Sequence, residues 1–197
     1  IEHQKILIEL EREKSENLLL NILPAPVANE LKEKGTATPQ SYENVSVLFA
    51  DLVGFTVRAG VMTPASIINE LDYCFQAFDD IIEKYGLEKI KTMGDGYMCA
   101  GGVPLPSPDS SINTVKAGIE MQHFVKEWGN RKEKLGEKPW QIRVGIHTGE
   151  IIAGVVGKKK FAYDIWGDTV NTASRLETAC EPGKVNISGT TQAILKD

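Results

Sequence analysis

Asp95 stands between two glycines in the stretch Lys91-Thr92-Met93-Gly94-Asp95-Gly96-Tyr97-Met98. The flanking runs, Ile90–Met93 and Tyr97–Ala100, are short and mostly apolar. They predict a β-hairpin whose Gly-Asp-Gly turn uses the free access of glycine to positive φ. Such a turn holds a carboxylate at a tip that a cation can reach, and Lys91 lies in the strand feeding that tip. Asp51 closes an earlier apolar run, Val45-Ser46-Val47-Leu48-Phe49-Ala50. Two carboxylates at the ends of neighbouring strands suit a hard cation such as Mg²⁺ together with a polyphosphate. Taken singly, each aspartate also fits a turn or cap role, and Lys91 also fits a surface lysine whose stem covers apolar neighbours.

The composition bounds what such a site can belong to. A chain of 197 residues accommodates one domain and an accessory segment, and 42% hydrophobic residues suffice for a core. A net charge of −5 argues against a dedicated nucleic-acid binder, which carries a basic excess. An anionic ligand must then be met by a few placed Lys and Arg side chains, backbone N–H groups and metal. Cys74, Cys99 and Cys180 are odd in number and widely spaced. They give neither a disulfide framework nor a zinc pattern, as expected in a reducing compartment: the cytoplasm, or the cytoplasmic side of a membrane-anchored parent protein. No run approaches the ~20 apolar residues of a membrane span, and no apolar segment follows Ile1-Glu2-His3-Gln4-Lys5 as in a signal peptide. The first residue is not Met, so the chain is expected to be a piece of a longer protein.

The elements that must position these residues follow from the hydrophobic pattern. Residues 1 to about 23 have helix composition. Ile1, Ile8, Ser15 and Ile22 recur at intervals of seven, with Lys5, Arg12 and Leu19 between them. This half-apolar seam fits either a solvated helix or a coiled coil that joins two copies and relays a signal from an upstream sensor. Pro24 and Pro26 break the helix. Val27–Lys34 reads as a short helix and Thr36–Asn44 as loop, which separates an N-terminal signalling helix or linker (1–41) from the main domain (42–197). Val45–Ala50 predicts a central strand buried on both faces. Gly54 permits a tight bend after Asp51, and the N–H groups of such a bend can face a phosphate. Thr63-Pro64 start a helix with Ile67, Leu71, Phe75, Phe78, Ile82 and Tyr85 on one face, ended by Gly86; this stripe reads as core.

After the hairpin of residues 87–102 and a loop stiffened by Pro104, Pro106 and Pro108, residues 111–135 form a second long helix. Gln141–His147 alternates, and Thr148-Gly149-Glu150 is expected to turn it into Ile151–Val156 as another hairpin. Lys158-Lys159-Lys160 reads as a solvated loop tip, with phosphate contact as the lesser alternative. A third helix from Thr169 to about Ala179 puts Asn171 and Arg175 on one face. A strand over Val185–Ser188 and a helix over Thr190–Lys196 end the chain. The order βαββαβ predicts an α+β fold with a ferredoxin-like core and an extra hairpin, preceded by the N-terminal helix.

Four stretches also carry a family signature. Phe49-Ala50-Asp51-Leu52-Val53-Gly54-Phe55-Thr56 resembles the first metal-binding motif of the class III nucleotidyl cyclases. Lys91-Thr92-Met93-Gly94-Asp95-Gly96-Tyr97 resembles their second, which includes a purine-selecting lysine. Arg143-Val144-Gly145-Ile146-His147-Thr148-Gly149 resembles the strand that brings an arginine to the triphosphate. Tyr163 through Arg175 resembles the stretch that holds purine, ribose and transition state. Each motif alone is a weak signal; four in the family's order, across residues 45–188, are specific.

The resemblance implies an adenylate cyclase of the homodimeric type, forming 3′,5′-cyclic AMP and pyrophosphate from ATP with two Mg²⁺ or Mn²⁺ ions per site. It assigns the metals to Asp51 and Asp95, with Leu52 beside them. Lys91 and Asp164 would select the base, Arg143 would meet the triphosphate, and Gly54, Phe55 and Thr56 would meet phosphate through backbone amides. Asn171 would orient the ribose and Arg175 would stabilise the transition state. One chain is expected to give Asp51, Asp95 and Arg143, and its partner Lys91, Asp164, Asn171 and Arg175. Guanylate-forming relatives typically carry Glu and Cys or Ser in place of Lys91 and Asp164, so this pair points to ATP. Guanylate cyclase, and an inactive module used for dimerisation or nucleotide sensing, are the competing expectations. Arg143 pairing with a structural carboxylate, Asp164 preceding a turn, and Asn171 with Arg175 as an ordinary polar helix face are the plainer readings of single residues. His147 reads as structural. No match is found for the second triphosphate-binding lysine that adenylate-cyclase relatives usually carry further on.

Overall fold

Gln40–Leu52 forms β1, the strand on which a six-stranded sheet is ordered. In this computed structural model, which describes residues 2–157 and 160–196, β1 lies between β3 (Gly96–Gly101) and β4 (Ile142–Val156). Beyond them lie β2 (Glu88–Met93) and β5 (Ala162–Trp166), giving the antiparallel order β2-β3-β1-β4-β5. A short β6 (Val185–Ile187) pairs parallel to β4. The helices are α1 (Glu2–Leu20), α2 (Ala25–Lys34), α3 (Phe55–Ala59), α4 (Pro64–Lys84), α5 (Ser110–Lys134), α6 (Asp168–Thr178) and α7 (Gly189–Ile194). The core order β1-α4-β2-β3-α5-β4 is the expected ferredoxin-like arrangement, with the N-terminal helix ahead of it.

The uniform apolarity of β1 is explained by two cores. Leu48, Ala50 and Leu52 pack with Tyr97, Ile142, Val144 and Ile146 under Phe78, Ile82, Met121 and Val125 of α4 and α5. Val45, Val47 and Phe49 face the other way, with Met98, Ala100, Ile165, Ala173, and Leu23 and Ala28 from the N-terminal segment. Each fully buried Val, Leu, Ile or Phe side chain stabilises by about 1.5–3 kcal/mol, so only a strand covered on both sides repays this sequence. Thr63 caps α4 by accepting from the Ser66 amide at 3.2 Å. Among the described residues no helix is long and apolar enough to cross a membrane. Cys74, Cys99 and Cys180 are free and buried.

Three expectations are corrected. The loop expected over Thr36–Asn44 gives way to strand from Gln40, because Gln40–Tyr42 pair with Ala153–Ile151 across a bulge that ends at Val45. The hairpin expected at Thr148-Gly149-Glu150 does not form; β4 runs straight through it as one 15-residue strand. Thr148 is buried and its hydroxyl shares hydrogen bonds with Ser46 at 2.7 Å and Thr191 at 3.1 Å. Gly149 is there for closeness rather than for turning: a Cβ would stand 2.6 Å from the Thr169 hydroxyl. The extra hairpin exists one strand later, between β4 and β5, and β5 occupies residues expected only to lead into a helix. Lys158 and Lys159 of the lysine run lie outside the described residues.

Glu88 on β2 pairs across to Ala100 and shares the second core's face of the sheet. Burial pushes its carboxyl up to about 7. With the folded value above the ordinary one, the folded chain holds a proton that the unfolded chain releases, so stability falls as pH rises from about 4.5 to 7. Glu88→Gln is therefore expected to leave the thermal midpoint nearly unchanged at pH 5 and to stabilise on the order of 1–2 kcal/mol at pH 8. Thermal unfolding at the two pH values checks this, and an equal effect at both contradicts it.

Candidate active site

A single cross-strand row carries the acidic end of the site. Asp51 stands opposite Gly96 on one side and Arg143 on the other. The β2–β3 connection is a two-residue turn with Gly94 at φ 62°, as the glycine spacing requires. It puts Asp95 beside Gly96, next to Asp51. Tyr97 anchors the start of β3 by donating to Asp79 of α4 at 2.5 Å. Burial, and then the neighbouring Asp51 charge, push the Asp95 carboxyl up to about 6. Two acids that resist being charged together, at the accessible end of a sheet, make an environment that gains from a cation.

Part of that charge is met from within. Arg143 donates from Nη2 to Asp51 Oδ2 at 2.9 Å. Its Nε lies 3.0 Å from Glu177 Oε1 on α6. That second approach is an ion contact without hydrogen-bond alignment, leaving Nε and Oε1 buried and without a hydrogen-bond partner. Burial opposes the charge on Arg143, but Asp51 and Glu177 outweigh it and raise the guanidinium above its ordinary value. Burial raises Glu177, against the pull of Arg143. Two carboxylates thus share one guanidinium, and Asp95 stands beside the first of them. Among the described residues no group of three His, Cys, Asp or Glu side chains is disposed to hold a metal. Asp51 and Asp95 offer two carboxylates, and an ion held by them alone keeps open positions for water and phosphate oxygens, the habit of Mg²⁺. The Leu52 side chain is buried in the core, away from any ligand role.

A second group forms where the sheet curls until its two edge strands meet. Lys91 of β2 donates from Nζ to Asp164 Oδ2 of β5 at 2.5 Å. The other carboxylate oxygen accepts from the Ile165 amide at 2.9 Å. A donor and an acceptor, both fixed, lie side by side and part-exposed. Asn171 and Arg175 are exposed on one face of α6. Among the described residues no hydrogen bond or ion pair joins Lys91, Asp164, Asn171 or Arg175 to Asp51, Asp95 or Arg143. His147 shares a hydrogen bond with Ser188 at 2.7 Å, a structural role as expected.

The bend after β1 is built as a short helix, α3, entered through Gly54 at φ 71°. Phe55 and Thr56 open it, and Phe55 packs on Trp140 with ring centroids 6.0 Å apart. Arg58 stacks on the Trp140 ring at 3.3 Å and donates to the Pro139 carbonyl at 2.8 Å. Trp140 donates to Glu70, which also receives Lys132 at 2.5 Å. Arg58, Glu70, Lys132 and Glu177 were invisible to motif reasoning. The one usable signal was Glu177 four residues after Ala173, an acid on the sheet-facing side of α6.

Comparison with known proteins follows the same lines. The profile described as the adenylate and guanylate cyclase catalytic domain matches residues 37–197. An adenylate cyclase of Mycobacterium tuberculosis is 42% identical over 192 residues, covering 97% of this chain and 42% of that protein. Guanylyl cyclase C of Homo sapiens is 38% identical over 197 residues, covering 100% of this chain and 18% of that protein. The crystal structure of the adenylyl cyclase CyaB from P. aeruginosa matches with a TM-score of 0.76 and 32% identity, covering 81% of this chain and 83% of that one. The chain spans less than half the length of either curated relative.

The seat of α6 depends on Gly145. A Cβ there would overlap the Glu177 amide nitrogen and stand 2.5 Å from the Ala173 carbonyl oxygen. Gly145→Ala is expected to destabilise the fold by about 2 kcal/mol, as overpacking does. Urea unfolding measures it; an unchanged midpoint contradicts the close approach.

Proposed function

Because this chain belongs to the adenylate and guanylate cyclase catalytic domain family, we propose that it converts ATP to 3′,5′-cyclic AMP and pyrophosphate. The observation that carries the choice of base is the Lys91–Asp164 pair at 2.5 Å. Adenine presents an acceptor at N1 and a donor at N6. An ammonium and a carboxylate held side by side complement that order, Lys91 donating to N1 and Asp164 accepting from N6. Guanine presents the reverse order and would set O6 against the Asp164 carboxylate.

The reaction joins the ribose 3′-oxygen to the α-phosphorus and expels pyrophosphate. When bound at Asp51 and Asp95, two Mg²⁺ or Mn²⁺ ions supply a lowered pKa for the 3′-hydroxyl and positive charge for the triphosphate. The chain's own groups do the rest. Arg143 meets the triphosphate, as do the backbone amides of Gly54, Phe55 and Thr56. Asn171 holds the ribose in line, and Arg175 offsets charge at the five-coordinate phosphorus, a contact of the kind worth about 2.7–4 kcal/mol.

We further propose a homodimer with two shared sites. Asp51, Asp95 and Arg143 come from one chain, and Lys91, Asp164, Asn171 and Arg175 from the other. The exposure of Asn171 and Arg175 supports this. A two-fold interface also supplies the cleft that a small ferredoxin-like domain lacks. Residues 1–41 serve as a signalling helix or linker from an upstream sensor, and the domain works in the cytoplasm or on the cytoplasmic side of a membrane-anchored parent protein.

ATP and GTP offered side by side with Mg²⁺ or Mn²⁺ test the reading. Cyclic AMP is the expected product, with ATP preferred by up to about 10⁴-fold in kcat/KM, as for a site built around hydrogen-bond order. Asp95→Ala is expected to abolish turnover. Preference for GTP overturns the base assignment; no turnover of either nucleotide by folded protein overturns the enzyme.

A further inference from the structure

Glu177 has no part in the reaction just described, yet it is the most enclosed acid near it. Its side chain is 11% exposed and lies against Arg143, which is itself 28% exposed. The helix that carries it sits directly on β4, where Gly145 leaves the room. Arg143 is therefore shared. Its Nη2 donates to Asp51, its Nε faces Glu177, and its Nη1 donates to the Thr178 carbonyl at 3.5 Å.

We propose that Glu177 is a positioning residue that divides Arg143 between itself and Asp51, and so sets how readily the Asp51–Asp95 pair accepts a divalent cation before nucleotide arrives. This rests on the proposed metal role of Asp51 and Asp95. The physical reasoning is a competition. A guanidinium on Asp51 is a cation already in place, and an incoming ion must displace it. The planar fork of arginine can grip a single carboxylate with two parallel N–H donors. An ionised Glu177 3.0 Å from Nε draws that nitrogen away and keeps Arg143 from committing wholly to Asp51. With Glu177 neutral, the guanidinium falls to Asp51 alone and bars the ion more strongly. With Arg143 gone, three carboxylates remain without a counter-charge, and the ion binds more tightly.

Mn²⁺ titration of the nucleotide-free protein, followed by calorimetry or by loss of the free-ion paramagnetic resonance signal, tests this in a double-mutant cycle. Relative to wild type, Glu177→Gln is expected to weaken Mn²⁺ binding about fivefold and Arg143→Gln to tighten it about tenfold; in the Arg143→Gln background the Glu177→Gln effect is expected to fall below about twofold. A Glu177 acting only as a distant negative charge weakens binding equally in both backgrounds, and that result overturns the proposal. So does unchanged affinity in both single variants. Where Arg143→Gln does not fold, Arg143→Met, which likewise removes both the charge and the fork, carries the same expectation. Wild-type protein that binds no Mn²⁺ above an Asp95→Ala blank overturns the metal role of the acid pair and this inference with it. Binding that ignores Arg143 and Glu177 overturns the inference alone.

Discussion

Three carboxylates and one guanidinium meet where the central strand ends. Asp51 and Glu177 flank Arg143, Asp95 stands beside Asp51, and the arrangement is electrically unfinished. Burial and the Asp51 charge both push the Asp95 carboxyl upward. A structure keeps such a cluster only where some further cation completes it, or where other parts of the fold hold it together at a cost. The second condition is met in this chain, and the first is what the proposed metal role would supply.

The holding is done by close approaches rather than by extra bonds. Gly145 brings α6 onto β4, and with it Glu177 onto Arg143. The positive φ of Gly94 brings Asp95 round to Asp51. Arg58, stacked on Trp140, ties α3 to the segment leading into β4, so the bend beyond Asp51 and the strand bearing Arg143 are fixed as one piece. At the other end of the site the sheet itself does the work. Curling brings its two edges together, and Lys91 reaches Asp164 across 73 residues of sequence. The fold thus prepares a fixed donor–acceptor pair in Lys91 and Asp164 and a charge-holding row, and leaves Asn171 and Arg175 facing outward.

Much of this was legible in the order of residues. The hairpin around Asp95 was plain because glycine spacing fixes a tight turn locally. The central place of β1 was plain because only a doubly covered strand repays that run of apolar residues. The long α4 and α5 helices followed from caps and stripes. What stayed hidden depended on contacts between distant segments. Thr148-Gly149-Glu150 has turn chemistry, yet Gly149 is small because Thr169 needs the space, and no local pattern distinguishes the two uses. The short β5 lacks a decisive alternation and forms because β4 extends far enough to pair with it. Glu177 carries no local mark, since a glutamate on a helix is exposed unless something across the sheet calls it inward. Asp51 and Arg143 lie 2.9 Å apart, with Asp95 on the adjoining turn. Arg143 is already engaged by Asp51 and Glu177, where the sequence suggested either a triphosphate contact or a structural ion pair.

The account's central claim is that each chain carries two halves of different sites. The most direct measurement uses a mixed dimer, isolated through two affinity tags, of an Asp51→Ala chain and an Arg175→Ala chain. One site then receives Asp51 from one chain and Arg175 from the other, and the second site receives neither. The account expects each variant alone to be inactive and the mixed dimer to regain about half of wild-type turnover, one working site of two. A mixed dimer that is fully assembled and still inactive would contradict it.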